Sequence, residues 1–123
     1  MNSNFSGKLA EFFALIYLLF KGYVYVGHNQ KFGKGTHAGE VDIIVRRKRT
    51  LVFVEVKKRT SMERAAYAIS EMQKQRIIRG AEAFLRKKHP RYDDYNIRFD
   101  AILVRFPFHI RHLENAWIPT RLF

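Results

Sequence analysis

The sequence predicts an α/β domain in which its elements follow one another in the order αβββαββ. Three observations lead to this prediction. A helix-like segment near the N-terminus is apolar nearly all round, runs rich in Val, Ile and Phe recur at 40–57 and 96–106, and a helix-start signal lies between them. At 123 residues the chain is long enough for a core of its own, and we expect a single domain over 1–123.

The first half of the chain begins with a helix and continues with three strands. Ser6 as N-cap and Gly22 as a C-terminal stop place the helix over 7–21, and its apolar character predicts that it packs on a sheet. A short strand is expected over 23–26, followed by a glycine-containing loop over 28–39. The next two strands, 40–47 and 51–57, are expected to be joined by a tight basic turn.

The second half of the chain contains the clearest helix-start signal. Ser70 and Gln73 have the spacing of a capping box, which predicts a helix over 71–88 that ends before Pro90. Strands are predicted over 96–106 and 108–118. For the segment 60–69 the sequence leaves two possibilities, an irregular arm and a short helix.

Composition excludes several classes of function. The chain has no cysteine, which excludes disulfides, thiolate metal sites and thiol catalysis and is compatible with a reducing cytoplasm, the expected location. The longest apolar run, Phe12 to Phe20, is too short for a membrane helix, which needs about 20 residues. We therefore expect no membrane partner.

Charge points to a polyanionic partner. Lys and Arg number 23 against 11 acids, which gives a net charge of +12. The basic residues concentrate in 46–59 and 71–91, on two ordered elements rather than on one amphipathic helix, and this favours nucleic acid over a membrane surface. The alternative is a solvated basic surface without a specific partner.

Acidic residues interrupt the two apolar strands of the central hairpin. Strand alternation places Glu55 and Lys57 on the same face as Leu51 and Phe53. If Lys48 and Arg49 form a two-residue turn, Asp42 lies directly opposite Glu55, with Cβ atoms about 5 Å apart. Two carboxylates at that distance repel each other unless a cation lies between them, and Mg²⁺ prefers such oxygen ligands.

Lys57 would then lie beside the metal, where it could hold the attacking water or stabilise the charge that develops on a phosphate. The alternative is an internal salt bridge between Lys57 and one of the acids, without chemistry.

Further candidates lie on the two helices. Glu11 is either a further metal ligand or water-orienting group, or a first-turn acid favoured by the helix dipole. Lys74 falls within the apolar stripe of the second helix, where it either meets a phosphate or extends past the core to solvent. The predicted nucleic-acid-binding set is Gln73, Lys74, Arg76, Lys87 and Lys88.

Other polar residues are expected to be structural. Asp100 is interpreted as a structural acid at a strand end, and the five histidines show no metal-ligand spacing. Trp117 is expected in the core or at an interface rather than as a platform for stacking bases.

These motifs resemble the PD-(D/E)xK nuclease pattern, with Asp42, then Glu55-Val56-Lys57, and Glu11 on the preceding helix. More narrowly, the chain resembles the YraN family, which is similar to archaeal Holliday junction resolvases. The resemblance runs almost end to end and is most specific in "GEVDII" at 39–44 and "LVFVEVKKR" at 51–59.

The resemblance implies a restriction-endonuclease-like mixed β-sheet flanked by helices. It also implies Mg²⁺ or Mn²⁺ as cofactor, held by Asp42, Glu55, the Val56 carbonyl and Glu11. DNA, with branched DNA as a candidate form, is the implied substrate. A homodimer is expected, because symmetric cutting of a four-way junction needs two sites. The competing interpretations are a non-catalytic nucleic-acid-binding protein that retains the fold, and a basic interaction protein.

Overall fold

The computed structural model describes the backbone of residues 3–32, 39–59, 69–106 and 109–118, and within the first range the side chains of residues 7–28. The elements follow one another in the predicted order αβββαββ. They are α1 (Ser3–Phe20), β1 (Val24–Phe32), β2 (Gly39–Arg47), β3 (Thr50–Lys58), α2 (Glu71–Lys88), β4 (Asn96–Arg105) and β5 (His109–Leu113).

The five strands form one mixed sheet in the order β1-β2-β3-β4-β5. The pairs β1/β2, β2/β3 and β4/β5 are antiparallel, whereas β3 and β4 are parallel. A parallel pair needs a crossover connection, and α2 lies in it. The sheet therefore has β3 at its centre, as the apolar character of both faces of that strand predicted.

A separate hydrophobic cluster fills each face of the sheet. On the α1 side, Ala10, Ala14 and Leu18 pack on the even-numbered valines of β3. On the α2 side, Ile77 and Phe84 pack on Leu51, Phe53 and Phe99. The odd and even residues of β3 thus face opposite helices, as alternation predicted.

The predicted bounds of α2, 71–88, are confirmed, and the predicted capping box is present at its start. The Ser70 side chain accepts a hydrogen bond from the Gln73 backbone N–H at 3.1 Å, and the Gln73 side chain accepts one from the Ser70 N–H at 3.3 Å. At the other helix, α1 begins at Ser3, so Ser6 lies inside it and is not its N-cap. Gly22 ends it as expected, with a φ of 91° that only glycine adopts without strain.

Two strand predictions were wrong in extent. The strand expected over 23–26 continues to Phe32, because backbone pairing with β2 extends to Phe32↔Gly39 despite the lack of apolar periodicity. The strand expected over 108–118 ends at Leu113, since Asn115 takes a left-handed φ of 53°. Residues 33–38 of the predicted loop and 60–68 of the undecided segment lie outside the described residues.

Trp117 belongs to the core. It is buried on the α2 side of the sheet, where its ring stacks on Phe99 with 5.7 Å between centroids. Among the helices of the described residues, none is long and apolar enough to cross a membrane.

Candidate active site

The β2–β3 hairpin has the register that a two-residue turn predicts. Lys48 and Arg49 form the turn, with Lys48 at a left-handed φ of 56°, and the first pair is Arg47↔Thr50. Regular pairing continues to Ile43↔Val54 and ends there, one residue before Asp42 and Glu55. The two acids therefore lie where the ladder between these strands opens.

Asp42 turns toward the backbone of β3 at this opening. Its Oδ2 accepts a hydrogen bond from the Val56 N–H at 2.9 Å. Val41 and Ile44 both pack in the α2-side cluster, whereas Ile43 packs on the α1 side, so strict alternation along β2 breaks near Asp42. This irregularity, together with the hydrogen bond, holds the Asp42 carboxylate beside the Glu55–Val56 peptide.

Glu55 is a buried acid, with 8% of its surface exposed. Burial, a hydrogen bond with the Asp42 carboxyl and the Asp42 charge together raise the pKa of Glu55 to about 9, against the opposing effect of Lys57. A hydrogen bond between two carboxyl groups requires a proton on one of them. At neutral pH the pair thus carries one proton, and two full negative charges are disfavoured without a cation.

Lys57 lies on the same face as Glu55, as predicted, with its Nζ 3.6 Å from Glu55 Oε2. Its side chain is about one-fifth exposed, so it reaches both the buried acid and the surface. Glu40 is the third acid of the hairpin, and it forms a salt bridge of 3.3 Å with Arg76 of α2. Lys57 is therefore the cation closest to the Asp42–Glu55 pair among the ion pairs of the described residues.

The structure does not gather the third predicted metal ligand into this group. Glu11 lies on α1, which packs on the face of the sheet opposite to that of Leu51 and Phe53. Within the described ranges, no three His, Asp or Glu side chains are placed to share a metal ion. The site assembles two carboxylates, and a role for Glu11 stays a prediction.

The predicted nucleic-acid-binding residues lie at both ends of α2. Gln73 forms the capping box, Lys74 approaches Glu71 at 3.5 Å, and Arg76 pairs with Glu40, all near the first turns. Lys87 and Lys88 are exposed in the last turn, about 20 Å farther along the helix axis. The predicted residues thus form two groups, one near the acidic pair and one at the opposite end of the helix.

Two glycines position this site, and the sequence analysis missed their role. A Cβ on Gly80 of α2 would lie 2.9 Å from the Glu40 backbone N and 3.0 Å from Val41 Cγ2. A Cβ on Gly39 would lie 2.5 Å from Gly80 N. Glycine at both positions lets α2 touch β2 beside Asp42. The sequence did contain a signal for this role: Gly80 is a lone glycine within a helical pattern, and such a glycine often marks close packing.

A buried polar network on the other face was also missed. Asp100 is fully buried in the middle of β4, not at a strand end, and accepts hydrogen bonds from Arg98, His112 Nε2 and the Asn115 N–H at 2.7–2.9 Å. Burial raises the pKa of Asp100, but these hydrogen bonds outweigh it and hold the pKa below its usual value. Arg98 also donates to the Tyr23 hydroxyl at 2.5 Å. The spacing Arg98-x-Asp100, which places both on one face of a strand, was the available signal.

Two comparisons with known proteins, one with family models and one with individual sequences, give the same family. The model of the uncharacterised protein family UPF0102 matches residues 10–104. A UPF0102 protein of Paramagnetospirillum magneticum is 41% identical over 114 residues, covering 90% of this chain and 85% of the relative. A UPF0102 protein of Nitrobacter winogradskyi is 43% identical over 115 residues, covering 91% of both chains.

Proposed function

We propose that this chain, which belongs to the uncharacterised protein family UPF0102, is a metal-dependent endonuclease that hydrolyses phosphodiester bonds in DNA. One observation carries the proposal. The buried Glu55 and the half-buried Asp42 lie where the β2–β3 ladder opens, with Asp42 held by the Val56 N–H at 2.9 Å and Lys57 Nζ 3.6 Å from Glu55. A buried acid beside a second carboxyl group weakens the fold, which supports a functional rather than a structural reason for the arrangement.

The donor set fits a hard divalent cation. Asp42 and Glu55 provide two carboxylates, and the raised pKa of Glu55 marks a site where added positive charge is favourable. The ligands we propose are these carboxylates and the Val56 carbonyl, with waters and substrate phosphate completing the shell, as Mg²⁺ or Mn²⁺ prefers. When bound, such an ion polarises a phosphoryl oxygen and lowers the pKa of a bound water.

Three further groups, the Val56 N–H, Lys57 and Arg76, would have separate roles around the metal site. The Val56 N–H holds Asp42 in place at 2.9 Å, so the carboxylate is oriented before any ligand arrives. Lys57, with its Nζ near the surface and 3.6 Å from Glu55, is placed to hold the attacking water or to stabilise the extra charge on the phosphate. Arg76 neutralises Glu40, which would otherwise repel the substrate.

Charge supports a nucleic-acid substrate. The net charge of +12 attracts a polyanion, and the basic residues of α2 begin next to the acidic pair, where the half-buried Arg76 lies 3.3 Å from Glu40. Branched DNA is the form we propose, and its symmetric cutting requires a homodimer. The outer side of α1 exposes Phe12, Leu19 and Phe20, which supply apolar surface for such a contact. Sedimentation at micromolar concentration should give a dimer, and a monomer would contradict this part of the proposal.

Cleavage of a panel of DNA structures tests the proposed activity. Single-stranded, duplex, flap and four-way-junction DNA are incubated with Mg²⁺, Mn²⁺ or EDTA, using wild-type protein and Lys57→Ala purified in parallel. We expect metal-dependent nicking of at least one structure by the wild type, and a loss of at least a hundredfold in Lys57→Ala. Equal activity in both preparations would reveal a contaminating nuclease.

A non-catalytic nucleic-acid-binding protein is the second candidate. It is favoured by the Lys57–Glu55 ion pair and by the presence of only two clustered acids among the described residues. This candidate predicts DNA binding without cleavage in every metal. The panel therefore separates the two functions directly.

A further inference from the structure

A group of basic side chains lies on the α2 face of the sheet, where the parallel strands β3 and β4 end and β5 begins. We call this group the basic shelf, and its members are Lys57, Arg59, Arg105, His109 and Arg111. Lys57 is the member that belongs to the candidate active site, and none lies on α2. In open α/β sheets, ligands bind outside the carboxyl ends of parallel strands, which is where the shelf lies.

The first row of the shelf crosses three strands next to the acidic pair. Lys57 pairs with Leu103, and Leu103 pairs with Arg111. Directly paired residues project to the same face of a sheet, and the odd-numbered residues of β3 and β4 project to the face on which α2 packs. Lys57 and Arg111 therefore flank the buried Leu103 on the same face as Glu55.

The second row lies nearer the strand ends. Arg105 pairs with His109, and Arg105 Nη2 lies 2.6 Å from His109 Nδ1. The Arg59 N–H donates to the Val104 carbonyl at 2.8 Å, which continues the register of β3 and β4 and places Arg59 beside Arg105. Alternate residues of a strand are about 6.6 Å apart, so the second row lies about that far beyond Lys57 on the same face.

The side chains of the shelf present hydrogen-bond donors. His109 and Arg111 are exposed, and Arg59 and Arg105 are half-buried. Because a guanidinium is always charged, Arg105 Nη2 donates to His109 Nδ1, and the proton of the neutral imidazole lies on Nε2. His109 thus offers a donor of its own while it holds Arg105. The shelf has the chemistry of a receptor for oxyanions.

Charge and size indicate that the ligand is a polyanion. The segments 57–59 and 101–113 contain no Asp or Glu, so no carboxylate interrupts the shelf along its own strands. Like charges this close repel each other, and an anion between them removes the repulsion. Lys57 and Arg111 lie two strands apart, about 10 Å, which is wider than a single phosphate group. A nucleic-acid strand, with one charge about every 3.4 Å, covers this distance with about three phosphates.

We propose that the basic shelf binds backbone phosphates of DNA next to the acidic pair, so that the strand leaves the pair across β4 toward β5. This inference rests on the proposed function, because the shelf serves the same substrate. Lys57 joins the two parts of the surface: its Nζ is 3.6 Å from Glu55, and it begins the first row. The strand therefore passes from the acidic pair directly onto the shelf.

DNA binding without cleavage tests the shelf. A fluorescein-labelled duplex of about 20 base pairs is titrated in EDTA between about 50 and 200 mM salt, with anisotropy as the readout. Arg59→Gln and Arg111→Gln should each lower the salt slope by about 0.9, the value for one phosphate contact. The same loss weakens binding about eightfold at about 0.1 M salt. The double variant should lower the slope by about 1.8.

Lys48→Gln is the matched control, because it also replaces one cation by a neutral amide. Lys48 is exposed in the β2–β3 turn, at the end of β3 opposite to the shelf. We expect an unchanged salt slope and an affinity within about twofold of the wild type. Thermal unfolding checks that every variant is folded. If the half-buried Arg59 cannot be replaced without unfolding, the exposed Arg111 decides the test alone.

Four outcomes decide the proposal. A lower slope in both shelf variants, with a wild-type slope in Lys48→Gln, supports it. Wild-type affinity and slope in the shelf variants would overturn the shelf and leave the proposed nuclease function standing. An equal loss of slope in Lys48→Gln and Arg111→Gln would overturn it as well, since the loss would then reflect net charge alone. Equal competition by inorganic phosphate and by unlabelled duplex, at equal phosphate concentration, would replace strand binding by a free-anion site.

Discussion

Replacing Glu55 by Gln should stabilise the metal-free protein at neutral pH, although it removes a proposed metal ligand. The side chain is buried, and its pKa is about 9 instead of the usual 4.5, because of burial and of the neighbouring Asp42. Gln is neutral at every pH and its amide can donate a hydrogen bond to Asp42. The substitution therefore keeps the contact and removes the ionisation.

The sign and size of the effect follow from proton binding. A carboxyl whose pKa is raised by folding stays protonated in the folded chain when the unfolded chain has already lost its proton. The free energy of unfolding then falls as the pH rises from 4.5 to about 9. Each pH unit costs about 1.4 kcal/mol, so the loss reaches about 3 kcal/mol at pH 7. Glu55→Gln should recover about that amount at pH 7 and about 1 kcal/mol or less at pH 5.

Urea unfolding at pH 5, 7 and 8.5 in EDTA measures the difference. Glu71→Gln serves as the matched control, because that side chain is 81% exposed and should change the free energy of unfolding by about 0.5 kcal/mol or less. Adding Mn²⁺ should stabilise the wild type but not Glu55→Gln, since only a ligand bound to the folded state stabilises it. Wild-type stability that stays flat from pH 5 to 8.5, or a Glu55→Gln variant less stable than wild type at pH 7, would refute this reasoning.

Three further predictions concern other parts of the molecule. Gly80→Ala should lower the free energy of unfolding, measured in urea, by about 1–2 kcal/mol, because its Cβ would lie 2.9 Å from the Glu40 backbone. Gly7→Ala is the control: the space around Gly7 is open, so this variant should raise the free energy of unfolding by up to about 1 kcal/mol. The reverse order of stabilities would contradict the close packing of α2 on β2. Asp100→Asn should destabilise by about 3–5 kcal/mol, since Arg98 loses its buried partner. The pKa of Asp100 is held below its usual 3.8, so the ionised carboxylate stabilises the fold above pH 3.8, and this stabilisation is lost as the pH falls through the pKa of the folded protein. Urea unfolding at pH 3 and pH 7 measures the difference in stability between variant and wild type, and an equal difference at both pH values would count against this account. Lys87→Ala with Lys88→Ala should reduce the salt slope of duplex binding by about 1–2 if both contact phosphates, and an unchanged slope would place the duplex elsewhere.

The sequence predicts the central hairpin well because two local rules agree there. Alternation fixes which residues of β3 face each helix, and a two-residue turn fixes the pairing, so the convergence of Asp42, Glu55 and Lys57 is predictable. The helix α2 is predictable for the same reason, since its capping box is local.

The parts that could not be predicted depend on contacts between distant segments. The extension of β1 to Phe32 depends on backbone pairing, which carries no side-chain pattern. The close approach of Gly39 and Gly80 joins residues far apart in the chain. Regular pairing was expected to place Asp42 opposite Glu55; instead pairing stops one residue earlier and the Val56 N–H holds Asp42.

Metal binding by wild type, Asp42→Asn and Lys57→Ala, measured with Mn²⁺ by isothermal titration calorimetry, tests the central claim most directly. Asp42→Asn removes a negative charge from the pair, whereas Lys57→Ala leaves both carboxylates and removes a competing cation. We predict one Mn²⁺ per chain in the wild type, no detectable binding in Asp42→Asn, and equal or tighter binding in Lys57→Ala, which is nevertheless inactive on DNA. Absence of binding in the wild type, or equal binding in wild type and Asp42→Asn, would contradict the assignment of this acid pair as a catalytic metal site.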